Sequence, residues 1–280
     1  MKGWTKRSPS NLGKTARIPY LCGEGKSCTT SSCLIPQGRN AARVGGCSGA
    51  MQVAYPFFLF LLMEFFVDTA NLDQIRKAMD LGVLDGVTTN PSLMAKEGIR
   101  GNDAVMEHYL NIAKMVGQNV SAEVIATDYE GMIREGQILA ALHPAIVVKV
   151  PMTREGIRAI HTFHSEGIRT NCTLVFSAGQ ALLAAKAGAT YLSPFIGRLD
   201  GLNMDGLELI AQIVQIYRTQ GFTTKILAAS IRSSLHIVRC AEAGADVVTC
   251  PLSAMEGLLY HPLTDKGLAQ FLEDHARNNA

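Results

Sequence analysis

A lysine lies among valines in the run IVVKVP at residues 146–151. In a strand, alternation sets Lys149 on one face with Val147 and Pro151, and Val148 and Val150 on the other. Burying an unpaired ammonium is costly. Burial also lowers a lysine pKa and leaves a neutral amine, which is what a Schiff base with a carbonyl substrate requires. The structural alternative is a core ion pair with Asp68 or Glu123. Those two carboxylates could equally carry proton transfers. For Asp68 the competing role is a helix N-cap, for which DTAN is well suited. Glu123 interrupts AEVIA, which otherwise reads as a core strand. Arg198, Ser230 and Arg232 could grip a phosphate; solvated loop arginines are the alternative.

The elements that must position these residues are short. Strand-like runs fall at Glu64–Asp68, Gly86–Asn90, Val120–Ala126, Ile146–Pro151, Ile168–Val175, Tyr191–Phe195, Lys225–Ser230 and Val247–Pro251. Each is followed by a segment of helical period, such as Leu72–Leu81 or Arg154–Glu166. Eight strand–helix units in residues 63–280 predict an α/β fold of the (β/α)8 TIM-barrel type. A doubly wound open sheet is the alternative, but DTANLD after the first strand offers no glycine-rich dinucleotide loop. Barrel strands are buried on both faces and should be apolar throughout. Here seven of the eight end in polar residues: Asp68; Thr88, Thr89 and Asn90; Glu123; Lys149; Asn171 and Thr173; Ser193; Ser230. Active sites of this fold occupy that end of the barrel. A buried polar group left unpaired costs about 1–3 kcal/mol, so seven together are hard to assign to structure alone.

Composition bounds the rest. The 280 residues carry 26 Lys+Arg and 24 Asp+Glu, a net charge of +2, with 48% hydrophobic residues. That balance gives no global reason to bind nucleic acid or a membrane surface. Seven cysteines fall far below the density of a disulfide scaffold. The average conceals an asymmetry: residues 1–62 hold eight basic side chains and one acid, Glu24, whereas residues 63–280 are net acidic. The first segment is rich in Gly, Ser and Thr and lacks an apolar period. Its cysteines, Cys22, Cys28, Cys33 and Cys47, follow no zinc-ligand spacing. The apolar run at residues 50–62 is shorter than the roughly 20 residues of a membrane span. Residues 1–62 therefore read as an extension: sequence upstream of a true start at Met63, an organelle transit peptide, or a partner-binding tail. The seven histidines form no metal-binding pair at the polar barrel end, so no metal is expected, and Met106, Met115 and Met132 read as core fillers.

The phrases VDTAN, GVTTNPSL, SAEVIAT, VVKVPMT, TNCTLVFSAGQALLAAKAGATYLSPFIGRLD, AASIR and HPLTDKG resemble the small-type transaldolases, relatives of fructose-6-phosphate aldolase. The resemblance spans Met63 to the C-terminus. It implies that Lys149 forms the Schiff base and that Asp68 handles the substrate C4 hydroxyl proton. It further implies that Glu123 and Thr173 position a catalytic water. Thr89, Asn90, Asn171, Ser193 and Phe195 would then surround the substrate, and Arg198, Ser230 and Arg232 would hold its phosphate. No cofactor is implied, because the protonated imine is the electron sink. The implied partners are sugar phosphates and further copies of the chain, as a decamer in which the C-terminal helix lies on a neighbour. Apart from the resemblance, the expected compartment is the cytoplasm, with organelle targeting by residues 1–62 as the alternative. Fructose-6-phosphate aldolases tend to have Gln in place of Glu123 and Tyr in place of Phe195, so this chain has the transaldolase choice at both. The readings to separate are a transaldolase, a plain aldolase that releases dihydroxyacetone, and a sugar-phosphate-binding barrel without turnover.

Overall fold

In a computed structural model, the structure describes residues 62–279. Except for Leu62, the basic, cysteine-bearing extension and its apolar run lie outside the described residues. The chain alternates β1 (Glu64–Asp68), α1 (Leu72–Asp80), β2 (Gly86–Thr88), α2 (Pro91–Lys96), α3 (Asn102–Val116), β3 (Val120–Glu123), α4 (Tyr129–Leu142), β4 (Ile146–Pro151) and α5 (Arg154–Ser165). It continues through β5 (Thr170–Val175), α6 (Ala178–Lys186), β6 (Tyr191–Pro194), α7 (Ile196–Asp200), α8 (Gly206–Gln220), β7 (Lys225–Ala228), α9 (Ser234–Ala243), β8 (Val247–Cys250), α10 (Leu252–Glu256) and α11 (Pro262–Asn278). All eight strands are parallel and close into a barrel in sequence order, with β1 paired to both β2 and β8. This is the (β/α)8 barrel expected from the alternation.

Two packed layers follow from the period of two along each strand. Outward residues such as Val148 and Val150 join a large core with the helices. Inward residues form a separate apolar plug of Phe66, Val147, Tyr191, Leu227, Ala229 and Val247. Phe66 and Tyr191 meet edge to face there, with centroids 5.9 Å apart. Lys149 is therefore the inward residue one step above an apolar floor.

The observed strands β2, β3, β6, β7 and β8 stop one to three residues before the apolar runs do. The residues in question leave the ladder at the top of the barrel, where they turn toward the site or begin the next helix. The short helices α2, α7 and α10, of five or six residues, are not evident from periodicity, because they are too brief to show one. Seven of the helices that start above the barrel rim are closed by a side chain accepting from a first-turn N–H: Asn71, Asn90, Asp128, Thr153, Ser177, Asp205 and Ser233. The register between β5 and β6 shifts between Cys172 and Val175, with Leu174 at φ 59°. This is a bulge that re-aims the top of β5.

Candidate active site

The C-terminal ends of the strands surround a cavity of about 130 Å³, lined by Asp68, Thr88, Asn90, Lys149, Ser193, Phe195, Arg198, Ala229, Ser230 and Thr249. Lys149 is 4% exposed. Its Nζ donates to the Thr89 carbonyl at 2.9 Å and stands 3.1 Å from Glu123 Oε2. The ion pair weighed as the structural alternative is thus present. An ammonium has three hydrogens to place, and the cavity borders the side that these two partners leave open.

Asp68 does not cap a helix. Asn71 caps α1 by accepting from Gln74 N at 2.9 Å. The Asp68 carboxylate instead accepts from Thr88 Oγ1 at 2.7 Å, and Thr249 Oγ1 lies 2.6 Å from the same Thr88 hydroxyl. A hydroxyl has one proton to give, so Thr249 donates to Thr88 and Thr88 to Asp68. This buried relay fixes the carboxylate at the cavity wall.

Opposite it, Ser193 donates to Asn171 Oδ1 at 2.7 Å, and Asn171 Nδ2 donates to Ser121 Oγ at 3.1 Å. Asn171 is fully buried and stands behind the wall. Asn90 is a helix cap whose Oδ1 accepts from Leu93 N at 3.0 Å, which leaves its amide N–H groups for the cavity. Thr89 turns its side chain away, donating to Ser121 O at 2.9 Å, and faces the site through its carbonyl alone. Glu123 touches Lys149 but borders a second cavity, of about 530 Å³, that Tyr109 also lines. Thr173 is buried, and its Oγ1 is one of the buried side-chain oxygens with no protein partner.

The rim is cationic. The Arg198 guanidinium stacks on the Phe195 ring at 4.8 Å from its centroid. Arg232 lies over Gly197 and Gly201 outside the cavity lining, and is exposed. Ser230 takes a left-handed backbone, φ 61°, a strained conformation for a residue with a side chain. Sequence reasoning missed Thr249, on the one strand credited with no polar group; VVTCP carried the signal. It also missed Ser121 and Tyr109, which reach the site only through hydrogen bonds to other residues.

Burial raises the Tyr109 phenol above its ordinary value of 10.0, outweighing the opposing influence of the Thr89 side chain and the Glu123 backbone N–H. Burial likewise pushes the thiols of Cys172, Cys240 and Cys250 up to about 12, so they are poor nucleophiles. Among the described residues, no group of three His, Cys, Asp or Glu is placed to hold a metal ion, and no helix is long and apolar enough to cross a membrane.

Known proteins resemble this chain over the barrel. The Transaldolase/Fructose-6-phosphate aldolase family matches residues 65–279. A protein named probable transaldolase from Porphyromonas gingivalis is 68% identical over 217 residues, covering 78% of this chain and 99% of the relative. Proteins of the same name from Bacteroides thetaiotaomicron and Cytophaga hutchinsonii are 67% and 66% identical, each over 78% of this chain and all of the relative. With a closed parallel barrel and a match across nearly all of its described residues, the chain is an enzyme of the transaldolase/fructose-6-phosphate aldolase family.

Proposed function

We propose that the protein is a transaldolase that moves a dihydroxyacetone unit from sedoheptulose 7-phosphate or fructose 6-phosphate to an aldose phosphate. The observation that carries this reading is the buried Lys149 amine, held by Thr89 O and Glu123 at the floor of a polar cavity with Asp68 on its wall. The Lys149 amine attacks the donor C2 carbonyl, and loss of water gives a protonated imine. The Asp68 carboxylate takes the C4 hydroxyl proton. The C3–C4 bond breaks, its electron pair passes into the imine, and an aldose phosphate leaves. The resulting enamine adds to the aldehyde of an acceptor while Asp68 returns the proton to the new hydroxyl. Water then frees the ketose from Lys149. Glu123 and the unpartnered Thr173 hydroxyl suit the handling of that water. Arg198, Ser230 and Arg232 suit a phosphate at the rim, and the amide of Asn90 with the Ser193–Asn171 pair suits sugar hydroxyls.

Release of glyceraldehyde 3-phosphate from fructose 6-phosphate, measured with and without erythrose 4-phosphate, tests the reading. Release that requires the acceptor supports transaldolase. Equal release in its absence would make the protein an aldolase, and none under either condition would leave a binding barrel. Phe195 presents no hydroxyl to help water protonate the enamine. Phe195→Tyr should therefore raise acceptor-independent cleavage, by about 100-fold if the hydroxyl acts at the low end of general-acid effects. An unchanged ratio of cleavage to transfer would refute that role.

Residues 63–280 form the catalytic unit in this reading, which we place in the cytoplasm. The thiols of Cys172, Cys240 and Cys250 are free, which suits a reducing compartment. We also read the enzyme as a homo-oligomer, a decamer by the family resemblance. None of α11 is buried, and Leu268, Phe271 and Leu272 lie on one exposed face. Light scattering should find several chains per particle, and Phe271→Asp with Leu272→Asp should reduce it to smaller species. A monomer from the unaltered chain would sink this. Comparing the full chain with protein begun at Met63 shows whether the extension obstructs assembly.

A further inference from the structure

In the parallel β2–β3 ladder, Val87 N donates to Asn119 O at 3.0 Å and Thr89 N donates to Ser121 O at 3.3 Å. The next rung should run from Glu123 N to Thr89 O. That rung is missing. Thr89 O instead accepts the Lys149 ammonium at 2.9 Å, and Glu123 N donates to the hydroxyl of Tyr109, on α3, at 3.2 Å. A buried backbone N–H left without a partner is costly. Something must therefore receive Glu123 N if Thr89 O is to serve Lys149. Tyr109 is 2% exposed, and the Thr89 side chain lies close enough to lower the pKa of its phenol. One hydroxyl thus bonds to one of the residues that hold the lysine and lies beside the other. On β4 the ladder is undisturbed, Val124 N donating to Lys149 O at 3.0 Å, so the gap is confined to the side of β3 that faces Tyr109.

We infer that Tyr109 is a positioning residue for the imine-forming lysine: its hydroxyl substitutes for a strand rung and thereby frees the Thr89 carbonyl to orient Lys149. Without that hydroxyl, Glu123 N reclaims Thr89 O. The ladder then closes by one rung, Lys149 loses an acceptor, and the Glu123 carboxylate moves with its backbone. The inference rests on the proposed role of Lys149.

The test is Tyr109→Phe in the full chain. It keeps the ring and removes only the oxygen. Tyr217→Phe is the control, since Tyr217 is also buried and donates to a backbone carbonyl, Ala181 O, at 2.7 Å, far from the lysine. Two quantities are read: steady-state kcat and KM with fructose 6-phosphate and erythrose 4-phosphate, and the single-turnover rate at which borohydride captures the fructose 6-phosphate imine. Both rates are expressed per site that borohydride titrates at completion, so misfolded chains do not count. For Tyr109→Phe, kcat and the capture rate should fall together by about tenfold, with KM within about twofold, because the donor's hydroxyls and phosphate are held elsewhere. Tyr217→Phe should lose melting temperature and keep both rates. Unchanged rates in Tyr109→Phe, with a melting loss like that of the control, would make Tyr109 merely structural and overturn the inference. If the unaltered protein captures no imine at Lys149, the proposed chemistry fails first, and that result is distinguishable because it appears before any Tyr109 variant is compared.

Discussion

Lys149→Met should abolish transfer of the three-carbon unit, lowering kcat by on the order of 10⁴-fold or more, as removal of a covalent nucleophile does. Borohydride with fructose 6-phosphate should leave a mass adduct on the parent and none on the variant. The substitution also removes one member of an ion pair, and the two consequences need separating. Lys149 is nearly buried, and the Glu123 side chain is 13% exposed. Breaking a fully buried pair costs about 3–5 kcal/mol, and the partial exposure of Glu123 places this case below that range. Lys149→Met with Glu123→Gln removes the stranded charge and should recover most of the lost melting temperature while remaining inactive. Any transfer activity recovered by the stabilised double variant would overturn the chemical role of the lysine.

Gly197→Ala should weaken binding of phosphorylated substrates, raising KM by about tenfold or more while altering kcat less. A Cβ at Gly197 would stand 2.1 Å from the Ser230 carbonyl oxygen and 3.0 Å from Arg232 Nε. The first neighbour is backbone, already held at φ 61°, so it cannot yield as a side-chain tip would. The segment from Ser230 to Arg232 must move, and the groups proposed to grip phosphate move with it. Overpacking of this kind costs about 1–3 kcal/mol. Gly179→Ala is the matched control, since a Cβ there meets only Ser177 Oγ at 4.0 Å. Comparing fructose with fructose 6-phosphate separates the effects: a rise in KM confined to the phosphorylated sugar supports the assignment. An equal rise for both would place the damage elsewhere in the site.

The barrel was legible because its strands are apolar runs of the right length with amphipathic segments between them, and Lys149 stood out because its neighbours are valines. The outcome at Asp68 shows what local sequence cannot decide. DTAN supports a cap by either Asp68 or Asn71, and only the approach of Thr88, 20 residues on, and Thr249, 161 residues beyond that, commits Asp68 to the cavity. Thr89 was expected at the substrate; its side chain faces Ser121 because the strand's alternation turns Thr88, not Thr89, inward. The bulge in β5 was not legible at all, since Leu174 is not a residue whose type announces a positive φ. Tyr109 was hidden for another reason: its partner is a backbone N–H, which every residue but proline has.

The capped helix starts above the rim have an electrostatic consequence. Each helix N-terminus carries a partial positive charge of about half a unit, and in a barrel of this kind they all lie at the mouth. At physiological ionic strength such fields fade over about 8 Å. Residues 63–280 are net acidic, so the barrel adds no attraction at long range. An arriving dianion is therefore not drawn from afar; it is turned at the threshold. In the proposed reaction, a sugar phosphate reaching the mouth would be oriented with its charged end against the ring of helix starts and its uncharged carbonyl end directed down toward Lys149. The fold thus sets the polarity of entry before any individual side chain makes contact.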